Sequence, residues 1–219
     1  MTELGRRAKY GLVATDRGDT LVFHLGMSGK WRIDPLEVDK HDHFLIETDE
    51  GRRLALNDAR RFGSLDLVRT EDLTSWPPFA ALGPEPLQVT PEELRIRLRG
   101  RTAAIKLLLL DQRIVAGLGN IYVCEALYRS GIHPARAGGS LSSVRLRRLV
   151  PAIKQVLEEA IEAGGSTLRD FVSPEGELGY FSKSFAVYGR EGQPCGCGGV
   201  VRRIVQGGRS TFYCPRCQR

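Results

Sequence analysis

The stretch CGCGGVVRRIVQGGRSTFYCPRC, residues 195–217, contains four of the five cysteines of this 219-residue chain. One pair of cysteines begins the stretch and another pair ends it. Between them, two short runs of β-forming residues flank two glycines at 207–208, a pattern typical of a tight hairpin. A hairpin that brings two cysteine pairs together can hold Zn²⁺ tetrahedrally through four thiolates. The predicted ligands are Cys195, Cys197, Cys214 and Cys217.

Two disulfides or free thiols are the alternatives to one bound zinc ion. A tail of this size buries too little apolar surface to fold alone, and a metal supplies the missing stability. The spacing at 214–217 is the usual Cys-x-x-Cys, whereas the spacing at 195–197 is one residue shorter. The N-terminus has no apolar signal segment, so we expect a cytoplasmic protein, where a cysteine cluster binds metal. Four thiolates leave no position for water, which indicates a structural role.

The positive charge of the chain is concentrated in two segments. The net charge is +6, with 32 Lys and Arg against 26 Asp and Glu. Residues 190–219 contain six arginines and one acid, and residues 95–106 contain five basic residues and no acid. Clustered cations favour phosphate contacts, although a basic surface can also serve solubility alone. No apolar run approaches the length needed to span a membrane.

The first third of the chain is predicted to form β-strands and the middle to form helices. Short apolar or alternating runs at 21–25, 44–48 and 53–56 predict strands. Proline-rich stretches at 76–78 and 83–86 predict a linker.

Three helices are predicted after this linker. The first begins with Thr90 as N-cap, Pro91 at the first position and Glu93 as capping-box partner. The second runs over about 119–130 and contains Cys124, which we expect to be a buried apolar residue. Gly131 ends that helix. The third spans about 143–163 and ends at two glycines, 164–165. Pro151 is expected to kink this third helix or split it in two.

A series of short motifs, in a fixed order and followed by the cysteine cluster, resembles the formamidopyrimidine-DNA glycosylase and endonuclease VIII family. The resemblance covers essentially the whole chain. It favours the formamidopyrimidine branch, because Met27, Arg60 and Phe62 look like the wedge of that branch. The motifs are RAKY (7–10), HLGMSG (24–29), KHDH (40–43), DARRFG (58–63), GLGNIY (117–122), GIHP (131–134) and YGR (188–190).

This resemblance implies an α+β fold of three parts. They are a β-sandwich over 1–85, here truncated, a helix–two-turn–helix domain over 86–189, and a zinc finger over 190–219. It also implies a base-excision repair enzyme that excises oxidised purines, such as 8-oxoguanine and formamidopyrimidines, from double-stranded DNA. The enzyme then cleaves the abasic strand by β,δ-elimination. A monomer that acts on the bacterial nucleoid is expected.

Base flipping gives the wedge residues their implied roles. The target base must leave the stack, and something must fill the gap. Met27 and Phe62 are predicted to wedge between base steps, while Arg60 pairs with the orphaned cytosine. The alternative is that Met27 and Phe62 are ordinary core residues; the neighbouring glycines instead favour exposed turns.

Further residues match family positions that touch DNA or take part in strand cleavage. Asn120, at the start of a helix, is expected to hold a phosphate or to act as a plain N-cap, or both. Arg209, beside the hairpin turn, is implied to reach the lesion and assist strand cleavage. A loop over 173–180 resembles the segment that covers the flipped base. The implied catalytic residues are Lys9 and Arg209, and the implied DNA contacts are His24, Met27, His41, Arg60, Phe62, Arg101, Lys106 and Asn120.

The family nucleophile is an N-terminal proline followed by glutamate, which attacks the sugar as a secondary amine. This chain begins MTELGR and passes directly into RAKY, and no proline precedes Glu3. We therefore expect the leading strand, a helix and the catalytic Pro-Glu to be absent. A truncated or late-started glycosylase is favoured, because Lys9, Arg209 and the wedge are retained. The alternatives are a damaged-DNA-binding protein without excision activity and a zinc-ribbon module that binds RNA or protein.

Overall fold

The computed structural model describes residues 1–165 and 180–219. The chain divides into two compact units, one formed by Met1–Ala80 with Glu162–Ser182 and the other by Ala81–Ile161 with Lys183–Arg219. The domain boundaries inferred from the resemblance, at 85/86 and 189/190, stay predictions. The predicted covering loop over 173–180 lies outside the described residues, apart from Tyr180.

Among its described residues, the first unit contains two antiparallel sheets and one short α-helix. The sheet orders are β1-β2-β3-β7 and β4-β6-β5. The three strands predicted from the sequence are found as β3, β5 and β6. The elements are β1 (Glu3–Arg7), β2 (Tyr10–Ala14), β3 (Asp19–His24), β4 (Lys30–Ile33), β5 (Asp42–Glu47), β6 (Arg53–Asn57), β7 (Ser64–Arg69) and α1 (Pro77–Ala80).

Aromatic packing joins the two sheets. The ring of Phe23 on β3 lies 5.3 Å from that of Trp31 on β4, nearly edge to face. A Cβ added at Gly11 would lie 2.0 Å from the Phe23 ring, so only glycine leaves room for this ring on β2. Residues of both sheets, including Leu65 on β7 and Leu56 on β6, line a cavity of about 360 Å³. The sheets therefore face each other, as predicted for a sandwich.

The second unit contains four helices, and two of their ends have specific capping. They are α2 (Pro91–Leu98), α3 (Ile105–Leu110), α4 (Asn120–Arg129) and α5 (Ser143–Glu162). At the start of α2, the Thr90 hydroxyl accepts the Glu93 N–H, which confirms the predicted N-cap. The Glu93 carboxylate lies 3.6 Å from Arg97. At the end of α4, Gly131 has φ +69° and the Ile132 N–H donates to the Leu127 carbonyl, a Schellman motif.

Helix α5 is continuous through Pro151, so the predicted split into two helices is wrong. Pro151 lies on the exposed side, where water can bind the carbonyl that loses its N–H donor. The opposite face buries residues at helical spacing, from Leu146 to Ala160. A two-pronged ion pair, 2.6 and 2.8 Å, joins Glu159 of α5 to Arg129 of α4. Gly164 and Gly165, at φ +70° and +96°, follow the helix end.

The C-terminal hairpin is formed by β8 (Arg202–Gln206) and β9 (Arg209–Tyr213). Gly207 and Gly208 form its two-residue turn, with φ +56° and +70°. Positive φ at both positions is the geometry of a type I′ turn, which glycine adopts without strain. The predicted α+β fold, with β-sheets, a helical region and a C-terminal hairpin, is confirmed. Across 1–165 and 180–219, no helix is long and apolar enough to cross a membrane.

A buried carboxylate holds the segment before the hairpin against α4. Glu125 is fully buried, and its oxygens accept the backbone N–H groups of Ala186, Val187 and Tyr188 at 2.9, 3.0 and 2.8 Å. Three charge-assisted bonds offset the cost of burying the charge.

Replacing this carboxylate should destabilise the second unit. We expect Glu125→Gln to lower the free energy of unfolding by about 2–4 kcal/mol, because the amide has one acceptor and brings donors toward three N–H groups. Glu158→Gln is the control, since Glu158 is exposed on α5, and should change it by less than about 0.5 kcal/mol. Urea unfolding followed by circular dichroism measures both. Equal stability of the two variants contradicts the anchoring role.

Candidate functional site

The four cysteines of the C-terminal stretch form a metal site. Their sulfurs all lie within 4.8 Å of one another, and the pairs Cys195–Cys217 and Cys197–Cys214 are 3.6 Å apart. Zn–S bonds of about 2.3 Å in a tetrahedron place sulfurs about 3.8 Å apart, so the geometry fits one structural Zn²⁺. Disulfide sulfurs are about 2.05 Å apart, and all the cysteines are free, so the disulfide alternative is wrong.

Gly199 makes room for this cluster. A Cβ there would lie 3.0 Å from the Cys214 sulfur and 3.3 Å from the Cys197 sulfur. Any side chain would therefore press on two ligands of the metal. The missing side chain at Gly199 therefore leaves the room that the zinc ligands need.

The zinc site packs against α4 rather than standing free. Cys124 is 1% exposed, as predicted, and shares a buried cluster with Cys195, Val201 and Cys214. Burial raises the pKa of the Cys124 thiol, which keeps it neutral. The hydroxyl of Tyr128, also on α4, lies 3.2 Å from the Cys195 sulfur. The hairpin thus has its apolar core in common with the helix.

Asn120 ties the first turn of α4 to the hairpin. Its Nδ2 donates to the Ser210 carbonyl at 2.9 Å and to the Tyr188 hydroxyl at 3.3 Å. Gly119 occupies the N-cap position without a side-chain bond, so the plain N-cap alternative for Asn120 is wrong. The amide hydrogens of Asn120 are thus used within the protein, and the phosphate contact at this helix start stays a prediction.

Lys106 requires a correction, because its side chain is not on the surface. It is 0% exposed, and its Nζ lies 3.5 Å from the same Ser210 carbonyl. The hairpin turn covers α3 closely, since a Cβ at Gly207 would lie 2.9 Å from the Leu107 side chain. Burial lowers the pKa of Lys106, and the charge of Arg209 acts in the same direction. A direct contact of Lys106 with DNA, predicted from its position five residues past Arg101, does not fit this burial.

Arg209 and Arg101 are both exposed, as a contact with DNA requires. Arg209 is the first residue of β9, and the next residue carries the carbonyl that Asn120 and Lys106 contact. Arg101 follows α2, where its carbonyl accepts the Gly139 N–H at 2.8 Å.

In the first unit, the three implied wedge residues lie on two adjacent loops. Met27 is 73% exposed and Phe62 is 57% exposed, so the alternative that they are core residues is wrong. The guanidinium of Arg60 lies over the Phe62 ring, 4.7 Å from its centroid, a cation–π contact.

Two glycines allow these loops to touch through their backbones. A Cβ at Gly26, which has φ +61°, would lie 2.7 Å from the Phe62 carbonyl carbon. A Cβ at Gly63 would lie 2.8 Å from the His24 carbonyl oxygen. Met27 and Phe62 are therefore held next to each other by backbone contact.

Asp58 is the centre of this arrangement. Its buried carboxylate accepts the Ser28 hydroxyl at 2.7 Å, the Gly63 N–H at 2.8 Å and the Arg60 N–H at 3.2 Å. Burial by itself raises the pKa of Asp58, but these donors together with the Phe62 N–H hold it below its ordinary value. The ionised carboxylate thus joins both loops.

His24, Lys9 and His41 surround the same part of the unit. Burial, and secondarily the charge of Lys9, lowers the pKa of His24, whose Nδ1 accepts the Gly26 N–H at 3.0 Å. His24 is therefore neutral and presents its Nε2–H. Lys9 is exposed in the turn between β1 and β2, after Ala8 with φ +54°. The carbonyl of His41 accepts the Asp58 N–H.

Sequence reasoning did not single out Asp58, Glu125 or Tyr128. The sequence did contain a signal for Asp58. An aspartate followed by a glycine five residues later, as in DARRFG, is typical of a side chain that binds the backbone of its own loop. Glu125 and Tyr128 left none, because their partners lie more than 60 residues away in the chain.

Comparison with known proteins agrees with this architecture. The model "Formamidopyrimidine-DNA glycosylase N-terminal domain" matches residues 1–65, the "Formamidopyrimidine-DNA glycosylase H2TH domain" matches 82–172, and the "Zinc finger found in FPG and IleRS" matches 192–219. The fold and the zinc site define a DNA repair enzyme of the zinc-finger DNA glycosylase class.

Individual relatives show the family to which the chain belongs. A formamidopyrimidine-DNA glycosylase of Novosphingobium aromaticivorans is 69% identical over 100% of this chain and 82% of its own length. The crystal structure of the MutM (Fpg) protein from Thermus thermophilus superposes with TM-score 0.90 at 45% identity, over 99% of this chain and 82% of that one. A complex of Lactococcus lactis Fpg with DNA containing an abasic site gives TM-score 0.90 at 35% identity, over 99% and 81%. The chain belongs to the formamidopyrimidine-DNA glycosylase family, a family of base-excision repair enzymes.

Neutralising Asp58 should destabilise the two loops that carry Met27 and Phe62. We expect Asp58→Asn to lower the free energy of unfolding of the first unit by about 2–3 kcal/mol at pH 7. Since its folded pKa is depressed, the carboxylate stabilises above the unfolded pKa of about 3.9, and this contribution is lost as pH falls through the folded pKa. Fluorescence-monitored urea unfolding suits this test, because both tryptophans, Trp31 and Trp76, lie in this unit.

The control for Asp58 is Asp16→Asn, a change at an exposed turn residue. It should leave the stability nearly unchanged at both pH 7 and pH 3. If the difference in free energy of unfolding between Asp58→Asn and the unaltered chain stays constant as pH falls, the ionised Asp58 carboxylate does not stabilise the loops.

Removing zinc should unfold the hairpin selectively. We expect one zinc ion per chain and, after chelation, loss of hydrogen-exchange protection in β8 and β9, because the metal supplies their folding free energy. The β1–β7 amides serve as the internal control and should keep their protection. Hairpin protection that survives complete removal of zinc excludes this structural role.

Proposed function

We propose that this protein binds double-stranded DNA containing oxidised purines, notably 8-oxoguanine and formamidopyrimidines, or abasic sites. Acting as a monomer on genomic DNA in the bacterial cytoplasm, it excises the base and cleaves the strand by β,δ-elimination. The observation that carries this proposal is the pair of exposed apolar side chains, Met27 and Phe62, on loops locked together by Asp58. In support, relatives are named formamidopyrimidine-DNA glycosylases, and one Lactococcus lactis structure holds Fapy-dG DNA.

The free-energy cost of flipping a nucleotide explains why the apolar side chains of Met27 and Phe62 would be exposed to solvent. Turning a nucleotide out of the stack costs a few kcal/mol. Burying a Met or Phe side chain returns about 1.5–3 kcal/mol each. Met27 and Phe62 inserted at the vacated step therefore offset much of that cost. Their loops are already ordered by Asp58, so little conformational entropy is lost on binding.

Arg60 supplies the polar part of the wedge. An orphaned cytosine presents acceptors that have lost their partner, and a guanidinium offers several donors in one plane. Stacking on Phe62 holds the Arg60 guanidinium near the inserted ring, 4.7 Å from its centroid. Contact with cytosine in the opposite strand suits a lesion derived from guanine.

Positive charges would stabilise the strand-cleavage steps. Each elimination expels a phosphate, whose developing charge a nearby cation stabilises. We propose this role for Lys9 on the first unit and for Arg209 on the hairpin. His24 and His41 on the first unit, and Arg101 and the first turn of α4 on the second, would hold the DNA backbone.

Base excision itself needs an amine nucleophile. In the chemistry implied by the family, a secondary amine attacks the anomeric carbon, displaces the base and forms an imine that promotes elimination.

The wedge assignment is tested by lesion-specific binding. We expect Met27→Ala with Phe62→Ala to weaken binding to a duplex with an abasic-site analogue by about tenfold or more, because the unstacked step is left unfilled. Leu36→Ala is the matched control, since Leu36 is 99% exposed on another loop of the same unit. Gel-shift titration at one fixed salt concentration measures both.

Two outcomes would contradict the proposal. An equal loss of affinity in the double variant and in the Leu36 control would contradict the wedge role of Met27 and Phe62. Equal affinity of the unaltered chain for damaged and undamaged duplex would favour a zinc-ribbon module for RNA or protein.

A further inference from the structure

We infer that Cys197 and Cys217, the two only partly buried cysteines of the zinc site, are the positions at which peroxide-type oxidants modify this protein. We further infer that Tyr128 protects Cys195 from the same reaction. The four ligands are unequal in access: Cys195 is 6% exposed and Cys214 is 0% exposed, whereas Cys197 and Cys217 are only partly buried. Oxidation of cysteine follows exposure, so the smaller burial of these two residues favours the second pair.

Tyr128 adds a chemical difference to the difference in access. Its hydroxyl lies 3.2 Å from the Cys195 sulfur. A zinc-bound cysteine is a thiolate without a proton, so the tyrosine O–H must be the donor. A hydrogen bond to a thiolate stabilises its charge and makes the sulfur a weaker nucleophile. Tyr128 comes from α4 and packs against the buried cluster around the site, which holds the donor in place.

The first reaction step consumes one peroxide. The thiolate of Cys197 attacks one oxygen of H₂O₂, an S–O bond forms, the O–O bond breaks and hydroxide leaves. The sulfur is oxidised by two electrons to a sulfenic acid, and the peroxide is reduced.

The second step forms a disulfide. The thiolate of Cys214, 3.6 Å from that of Cys197, attacks the sulfenic sulfur, and a second hydroxide leaves. The site then has two ligands instead of four and releases its zinc. The same steps at Cys217 use Cys195, also 3.6 Å away, as the resolving thiolate. The hydrogen bond from Tyr128 slows this second resolution, so Cys197–Cys214 forms first.

The experiment uses the zinc-loaded full chain. It is treated with hydrogen peroxide, the released zinc is followed with a chromogenic chelator, and samples are quenched by thiol alkylation at intervals. Trypsin cleaves after Arg209 and Arg216, which places Cys214 and Cys217 on separate peptides. Cys195 and Cys197 share the peptide 191–202, so fragmentation by tandem mass spectrometry identifies which of them is in the first disulfide. The expected product is Cys197–Cys214, formed together with the first zinc released.

Tyr128→Phe removes only the donated hydrogen bond. We expect it to accelerate zinc release by about three- to tenfold and to bring Cys195–Cys217 forward in time, since a bond to a charged group is lost. Tyr122→Phe is the matched control on the same helix, outside the cluster that surrounds the zinc site. It should release zinc at the rate of the unaltered chain.

Two results overturn the inference. One is equal zinc release from Tyr128→Phe and Tyr122→Phe. The other is a first disulfide of the unaltered chain that contains Cys195. The cysteine map of the unaltered chain decides the second point even if the Tyr128 variant binds zinc poorly.

Discussion

The C-terminal hairpin of the second unit depends on the bonds between four thiolates and one metal ion. A hairpin of two five-residue strands buries almost no apolar surface of its own, so it cannot offset the entropy of ordering its chain. Zinc supplies that free energy and fixes the positions of the cysteines. Once folded, the hairpin adds its apolar side chains to those of α4. Its exposed Arg209 then has a rigid support.

Buried polar groups set the position of the hairpin more sharply than apolar packing does. Asn120 and Lys106 both contact the Ser210 carbonyl, and Glu125 accepts three N–H groups from the segment before the hairpin. Apolar contacts tolerate small slips, whereas a buried donor or acceptor left without a partner costs about 1–3 kcal/mol. This penalty defines one register for β9, and hence one position for Arg209.

In the first unit, one buried carboxylate fixes the positions of two loops in the same way. Asp58 accepts bonds from both loops, while Gly26 and Gly63 allow those loops to touch. Met27 and Phe62 can then stay exposed without collapsing onto the core, because their backbones are held by polar contacts. Rigid loops with apolar tips suit insertion into a base stack.

The sequence by itself determined strands β3, β5 and β6, the hairpin, the start of α2, the end of α4, the zinc ligands and the family. These features depend on local spacing, capping residues and motif order. Of the two alternatives at Pro151, a kink or a split, the split was wrong. A DNA contact by Lys106 does not fit the burial of its side chain, since burial depends on which face another element covers. The tertiary structure alone decided the partners of Glu125, Tyr128 and Lys106. Their contacts join residues more than 60 positions apart, and no periodicity records which side chain meets which carbonyl across that distance.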